Sequence, residues 1–309
     1  MDEFRPQEAE RVGWDGGECL SVDGQLSEAS AHTQGFPPDR LADLAGMIEA
    51  QVIPRLMLVH TPPAVPGRRR AFGAKPVEEL AALVLECDAG AALAYVAALR
   101  DRGAPLESIY LELLTPVARH LGKLWEADLC NFTEVTIGLC CLQQVLNGLS
   151  AERHAERQAP QRGRRALLAP VPGEQHTFGL NMVAEFLRRA GWDVRVDTGD
   201  SKQQLVALVR AEWFAIIGFS VSCEAYLDVL ASAVRAIRRA SLNRGIGVMV
   251  GGRVFVEHPE LAALVGADAT ATDARQTCLH ADELYTLAVG RAAWQTQGET
   301  GFGGAALST

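Results

Sequence analysis

Three short segments concentrate the side chains that could do chemistry. The first is Pro172-Gly173-Glu174-Gln175-His176-Thr177-Phe178-Gly179, with an imidazole two residues after a carboxylate. The second is Ser220-Val221-Ser222-Cys223, a pair of hydroxyls beside a thiol. The third is Gly251-Gly252-Arg253, whose first two residues offer a shelf without side chains. A loop histidine serves as a metal ligand or as a hydrogen-bonding surface residue. Ser-x-Ser after a strand contacts a ligand or caps a helix. Gly-Gly lets a ligand approach the backbone or simply makes a turn. Ser222 and Cys223 with Glu174 could form a nucleophile site, but the chain has no Gly-x-Ser-x-Gly elbow. The stretch 247–252 lacks the full dinucleotide fingerprint. Order and spacing therefore carry more than any one segment.

These segments need a frame that gathers them. The run 166–171 is apolar and of strand length. A helical period over 178–190 follows and stops at Gly191. Then come a strand at 192–196, a helix at 202–212, and a fully apolar strand at 214–221. A helix at 225–239, a strand at 247–250, a short strand at 269–272 and a last helix at about 275–291 complete the series. Strands alternating with helices predict an α/β domain over 165–291, a doubly wound, flavodoxin-like parallel sheet. In such sheets the ligand sits beyond the carboxyl ends of the strands. All three segments follow a strand, so all three share that edge.

Upstream the pattern is helical. Pro76 suits a first helical position, and Val77, Leu80, Leu83, Val84 and Cys87 mark one face. Breaks at Asp88-Ala89-Gly90 and Arg102-Gly103-Ala104-Pro105 separate this helix from 91–99 and from a longer one at 106–125. A fourth helix runs over 133–154. Short connections predict a four-helix antiparallel bundle over 76–157. Residues 1–75 read as largely disordered, with a short helix near 38–53 that Pro54 ends. Within them 61–75 is a linker, and Arg68-Arg69-Arg70 is its solvated charge. Residues 158–165 link bundle and sheet, and 292–309 form a frayed tail. No internal repeat is evident.

Composition removes several classes. The chain has 309 residues, 29 Lys+Arg against 38 Asp+Glu, and a net charge of −9. It has no bulk attraction for nucleic acid or anionic lipid. Its apolar runs fall far short of the roughly 20 residues that span a bilayer. Its start, Met-Asp-Glu-Phe-Arg, has no apolar core of a signal peptide. Seven scattered cysteines without a CxxC make a disulfide framework or a structural zinc site a poor reading, and leave ordinary thiols. The expected compartment is the cytoplasm, with no membrane contact.

Glu174-x-His176-x-x-Gly179 resembles the Asp-x-His-x-x-Gly motif of cobalamin-binding domains. In that family Ser-x-Leu and then Gly-Gly follow. Here Ser220 lies about forty positions after Gly179, and Gly251 about thirty after Ser222. The resemblance implies base-off binding, with the dimethylbenzimidazole tail threaded into the sheet edge. His176 would then be the lower axial ligand of cobalt, and Glu174 would orient its ring. Gly179 would leave room for the tail, Ser220 would bond the tail base, and Gly251 and Gly252 would let it pass near the backbone. Two positions depart from the motif. Glu174 is one methylene longer than Asp, which alters its contact with His176. Ser222 stands for Leu, which makes the tail pocket more polar.

The helical region resembles the cap that precedes many such domains. Leu121-Gly122-Lys123-Leu124-Trp125-Glu126 is similar to its Gly-x-x-Trp stretch, which implies that Trp125 covers the upper face of the corrin; plain bundle core is the other reading. Light-sensing members follow this Trp with a Glu-His pair. Here those positions are Val135 and Thr136, with Glu134 one position off, so no upper histidine of that kind is supplied. His120 and His154 sit at helix ends and read as solvated.

The stretch from Trp125 to Gly138, the Glu-x-His-x-x-Gly variant and Gly218-Phe219-Ser220-Val221-Ser222 together resemble the AerR/PpaA proteins of purple photosynthetic bacteria. That resemblance spans about 76–291 and implies a light-responsive antirepressor without enzymatic activity. Its cofactor would be hydroxocobalamin, formed from photolabile adenosylcobalamin. Its partner would be a redox-sensing repressor of photosystem genes of the CrtJ/PpsR type, and any DNA contact would run through that partner. A corrinoid methyl carrier of a methyltransferase system is the alternative with the same two-domain plan. A sheet domain kept only as an interaction module is the third.

Overall fold

The computed structural model describes residues 48, 52–60, 72–152 and 160–300. The helix expected near 38–53, the triple arginine and His154 lie outside them. Helix α1 (Ile53–His60) starts where the sequence suggested an end. Ile48 and Val52 before it are π-helical, so the chain is already helical at Val52 and stays so through Pro54. Arg55 of α1 donates to Gly245 O at 2.8 Å and to the Asp268 carboxylate at 3.3 Å, on the outer side of the sheet.

The bundle comprises α2 (Ala74–Leu85), α3 (Ala89–Asp101), a long composite helix, and a final long helix α6 (Phe132–Glu152). The composite helix runs from α4 (Leu106–Ser108) through a π-helical stretch (Ile109–Leu114) into α5 (Thr115–Glu126). Pro116 accounts for the wide turn. Its ring would clash with the carbonyl four residues back, and it lacks the N–H for that bond. The Thr115 hydroxyl instead donates to Tyr110 O at 2.9 Å. Asp88 caps α3 by accepting from Ala91 N at 2.8 Å. Asn131 and Glu134 cap α6 reciprocally, at 2.8 and 3.0 Å. Glu134 is thus spent on the helix start.

The second half carries β1 (Arg165–Pro170), α7 (Phe178–Arg189), β2 (Asp193–Val196), α8 (Lys202–Ala211), β3 (Ile216–Ser220), α9 (Leu227–Ala240), β4 (Gly247–Gly251), α10 (Arg253–Glu257), α11 (Leu261–Leu264), β5 (Ala269–Thr270) and α12 (Ala274–Thr300). The sheet is five-stranded and parallel, in the order β2-β1-β3-β4-β5. This is the flavodoxin-like order, whose direction reverses between β1 and β3. The helix α12 continues past position 291, since no proline interrupts 292–300. Short helices α10 and α11 were not expected, because five and four residues are too few to display a helical period.

Side chains alternate across β1 and define two layers. Leu167 and Ala169 join Ile217, Phe219, Val248 and Val250 under α8 and α9. Ala166 and Leu168 face the other way, with Leu180, Leu187 and Trp192, towards α7 and α12. The bundle has its own core around Leu80, Val96, Leu113, Leu142 and Leu146, which Met182 of α7 joins. Each such large side chain contributes about 1.5–3 kcal/mol on burial. Helix α7 therefore packs one face on the sheet and offers another to the bundle. Asn181 reinforces that junction by donating to Gln143 at 3.0 Å, and the Thr115 hydroxyl oxygen lies 3.2 Å from the Met182 sulfur. Among the described residues no helix is long and apolar enough to cross a membrane.

Candidate functional site

Pro170, Ser220 and Gly251 stand in register at the carboxyl ends of β1, β3 and β4. The three segments singled out in the sequence therefore leave the sheet side by side. Val171 N donates to Ser220 O at 3.1 Å and Val221 N to Gly251 O at 2.9 Å, so the loops start as an extension of the ladder. Gly173 turns the first loop with a φ of 96°, and Tyr226 holds that turn through its hydroxyl, 3.0 Å from Gly173 O.

Glu174 lies under this loop with its side chain 1% exposed. One carboxylate oxygen accepts from Gln175 N and His176 N, each at 2.9 Å, and meets His176 Nδ1 at 2.6 Å. The other accepts from Ser222 N at 2.7 Å and from the Ser222 hydroxyl. Burial pushes this carboxyl up, but the hydrogen bonds from Ser222 and His176, by side chain and backbone of each, outweigh it and bring the pKa down to about 2. An ionised carboxylate only accepts. A neutral imidazole held there would carry its proton on Nδ1, towards the carboxylate, and leave Nε2 as a lone pair. The His176 side chain is 75% exposed, so that lone pair is within reach of a ligand's metal.

Beside this group opens a cleft of about 960 Å³. Gly179, Leu180 and Val183 of α7 form one wall, and Gly218, Ser220, Met249 and Gly251 form its floor. Thr115, Arg119, Gly122, Lys123 and Glu126 of α5 overhang it. A Cβ added at Gly179 would meet nothing within 4 Å, and one at Gly251 only Ala271 O at 3.9 Å. No packing in the protein itself requires glycine at either place. Open space of that kind, over a buried carboxylate and a directed imidazole, is what a large cofactor with a threaded tail needs.

Two family models, both described as B12 binding domain, match residues 164–280 and 76–147. An uncharacterised 20.5 kDa protein of the bchF-crtJ intergenic region of Rhodobacter capsulatus is 31% identical over 170 residues, 55% of this chain and 88% of that protein. The chain belongs to the B12-binding family and is AerR/PpaA-like. In fold it is similar to the monomethylamine corrinoid protein of Methanosarcina barkeri, with a TM-score of 0.57, 16% identity, and coverage of 68% of this chain and 99% of that one.

Within this B12-binding protein, the positions drawn from the motif do not all do the same work. Gly179, Ser220, Gly251 and Gly252 line the cleft, whereas Glu174 and His176 lie on the loop between β1 and α7 and are not part of its lining. Ser222 departs from expectation. Its hydroxyl does not enter the tail pocket but turns to Glu174, because a buried carboxylate lacking that donor would be left with a bare lone pair. The longer Glu174 side chain still touches His176 directly. Gly252 also has an internal reason. Its φ of 110° and ψ of 177° are open to glycine, and a Cβ there would run into the Val221 carbonyl. Trp125 is 52% exposed at the end of α5, so it is not bundle core. His120 lines an adjoining cavity of about 610 Å³ with Phe72, Val77 and Pro116, which shares Leu111, Glu112, Arg119 and Lys123 with the cleft. Cys223 is an exposed free thiol.

Sequence reasoning gave no role to Arg253 or to the α5 face of Thr115, Arg119, Gly122 and Glu126. Thr115, Arg119, Gly122 and Glu126 recur at helical spacing, and that mixed polar and small face in an otherwise apolar bundle was the available signal. Arg253 Nη1 lies 3.2 Å from Glu126, across the mouth of the cleft.

Proposed function

We propose that this chain is a light-responsive transcriptional regulator working as an antirepressor, a binding protein and not an enzyme. His176 would hold the cobalt of a base-off cobalamin through Nε2, supplying a nitrogen donor from below the ring. The form held after illumination is hydroxocobalamin, and the dark precursor is adenosylcobalamin. The partner is a CrtJ/PpsR-type repressor of photosynthesis genes in the cytoplasm, through which any DNA contact runs.

The observation that carries the cofactor reading is the ionised Glu174 bound to His176 Nδ1, which presents Nε2 as a donor. Ser222 holds Glu174, and Glu174 holds the ring. Gly179, Ser220 and Gly251 line the open descent in which a nucleotide tail would lie. When bound, the cobalamin supplies a photolabile cobalt–carbon bond. The residues of α5 overhang the cleft, and a bulky group above the ring competes with them for space. Loss of that group lets the bundle settle, which changes the surface offered to a partner. The regulatory reading is supported by the Rhodobacter relative, whose name sets it between bchF and crtJ. The methyl-carrier alternative shares the fold, and no residue in the cleft favours it.

The test is retention of hydroxocobalamin and adenosylcobalamin after desalting, in darkness and after illumination. Preference for the illuminated form supports the regulator. Equal uptake in light and dark overturns it in favour of the methyl carrier.

A further inference from the structure

Two ion pairs of the same polarity bridge the sheet domain and the bundle beside the cleft. Arg253, which follows the Gly-Gly turn at the end of β4, reaches Glu126 on the last turn of α5 at 3.2 Å. Arg275, in the first turn of α12, donates to Glu107 of α4. In both pairs the sheet supplies the arginine and the bundle the glutamate. Arg253, Arg275 and Glu126 line the cleft themselves. The Arg253 guanidinium is also aimed by Glu257, one turn along α10, at 2.9 Å. The apolar junction of the two halves lies deeper, at Met182 on α7. The ion pairs are therefore at the solvent-facing part of the cleft, whereas Met182 is buried.

We propose that Glu126–Arg253, seconded by Glu107–Arg275, is a latch that sets how far the bundle closes over the cleft, and so the size of the group admitted above the corrin. This rests on the cobalamin reading. Trp125 precedes Glu126 on the same turn and is exposed, so the position of its side chain follows that of the pair. Both pairs are exposed, and an exposed pair shifts an equilibrium only several-fold. Such a latch can give way to a bulky upper ligand. It is also weakened by salt, since the Debye length is about 10 Å at 0.1 M.

The experiment compares the wild type, Glu126→Arg, Arg253→Glu and the double reversal. Stopped-flow absorbance gives association rates of adenosylcobalamin and hydroxocobalamin in the dark, at low and high salt. Small-angle scattering gives the radius of gyration of each ligand-free protein. The latch requires the adenosyl-to-hydroxo rate ratio to rise about two- to five-fold in each single reversal. The double reversal must restore it, and high salt must raise it in the wild type alone. The single variants must also be more extended than the wild type without ligand. A ratio unchanged across the series, or a double variant no nearer the wild type than the singles, overturns the latch. If the wild type takes up neither cobalamin, the cofactor reading fails and scattering alone decides: equal radii in all four proteins remove the latch as well.

Discussion

Ser222, on the loop after β3, binds the Glu174 carboxylate of the loop after β1 with both its N–H and its hydroxyl. The pair crosses the switch point of the sheet and fixes, through Glu174, which nitrogen of His176 carries the proton. Ser222→Ala removes the hydroxyl and leaves the Ser222 N–H bond at 2.7 Å. We expect hydroxocobalamin affinity to fall by about 10- to 100-fold, the usual cost of losing a residue that orients a metal ligand. Folding stability should fall by about 1.5–3 kcal/mol, the worth of a hydrogen bond to a charged group. Equilibrium titration and urea unfolding measure the two. Wild-type affinity in the variant would show that Glu174 needs no such anchor.

The depressed pKa of Glu174 makes a signed prediction for acid. The ordinary value is 4.5 and the folded one about 2, so the folded state binds its proton later than the unfolded chain. Its contribution to stability is complete above about pH 5 and disappears as the pH falls towards 2. Glu174→Gln should therefore cost most stability near neutrality, with the gap from the wild type closing between about pH 4 and 2. Urea midpoints at several pH values follow this. A gap that stays constant to the acid limit would contradict the assignment.

Two glycines of the motif should respond oppositely. Gly179 faces open cleft, so Gly179→Leu should leave the thermal midpoint unchanged or raise it, while hydroxocobalamin uptake falls at least about tenfold. Gly252→Ala forces a Cβ into the Val221 carbonyl at a φ of 110°, and should lower the thermal midpoint before any ligand is added. Scanning calorimetry with a binding assay separates the cases. A destabilised Gly179→Leu protein would mean that this glycine serves packing.

Trp125→Ala distinguishes a cap residue from a core residue. At 52% exposure its loss should change stability by less than about 0.5 kcal/mol, against 3–5 kcal/mol for a buried tryptophan. Retention of adenosylcobalamin relative to hydroxocobalamin should change with it. A thermal midpoint that drops as for a core residue, with that ratio unmoved, argues against the cap role.

Much of this was written in local patterns. The five runs of strand length and the helices between them forecast the parallel sheet, and the rule that ligands sit at carboxyl strand ends brought His176, Ser220 and Gly251 to one edge. The rest depends on tertiary geometry. Ser222 lies past the end of β3, where side-chain alternation no longer holds, so the sequence could not reveal that it turns to Glu174. The π-helical stretch before Pro116 re-aims Leu111 and Glu112, which straight helical periodicity misplaces. Arg253 meets Glu126 across 127 positions of chain, and nothing local announces such a pair. The end expected at Pro54 failed because the chain is already π-helical at Val52 and runs on through the proline.

The most direct test of the central claim is the absorption spectrum of the purified protein mixed with hydroxocobalamin and desalted, beside His176→Ala. Base-off binding through His176 predicts near-stoichiometric retention, with a spectral shift that the variant lacks. Retention with the same spectrum in both proteins, or no retention by the wild type, would contradict it.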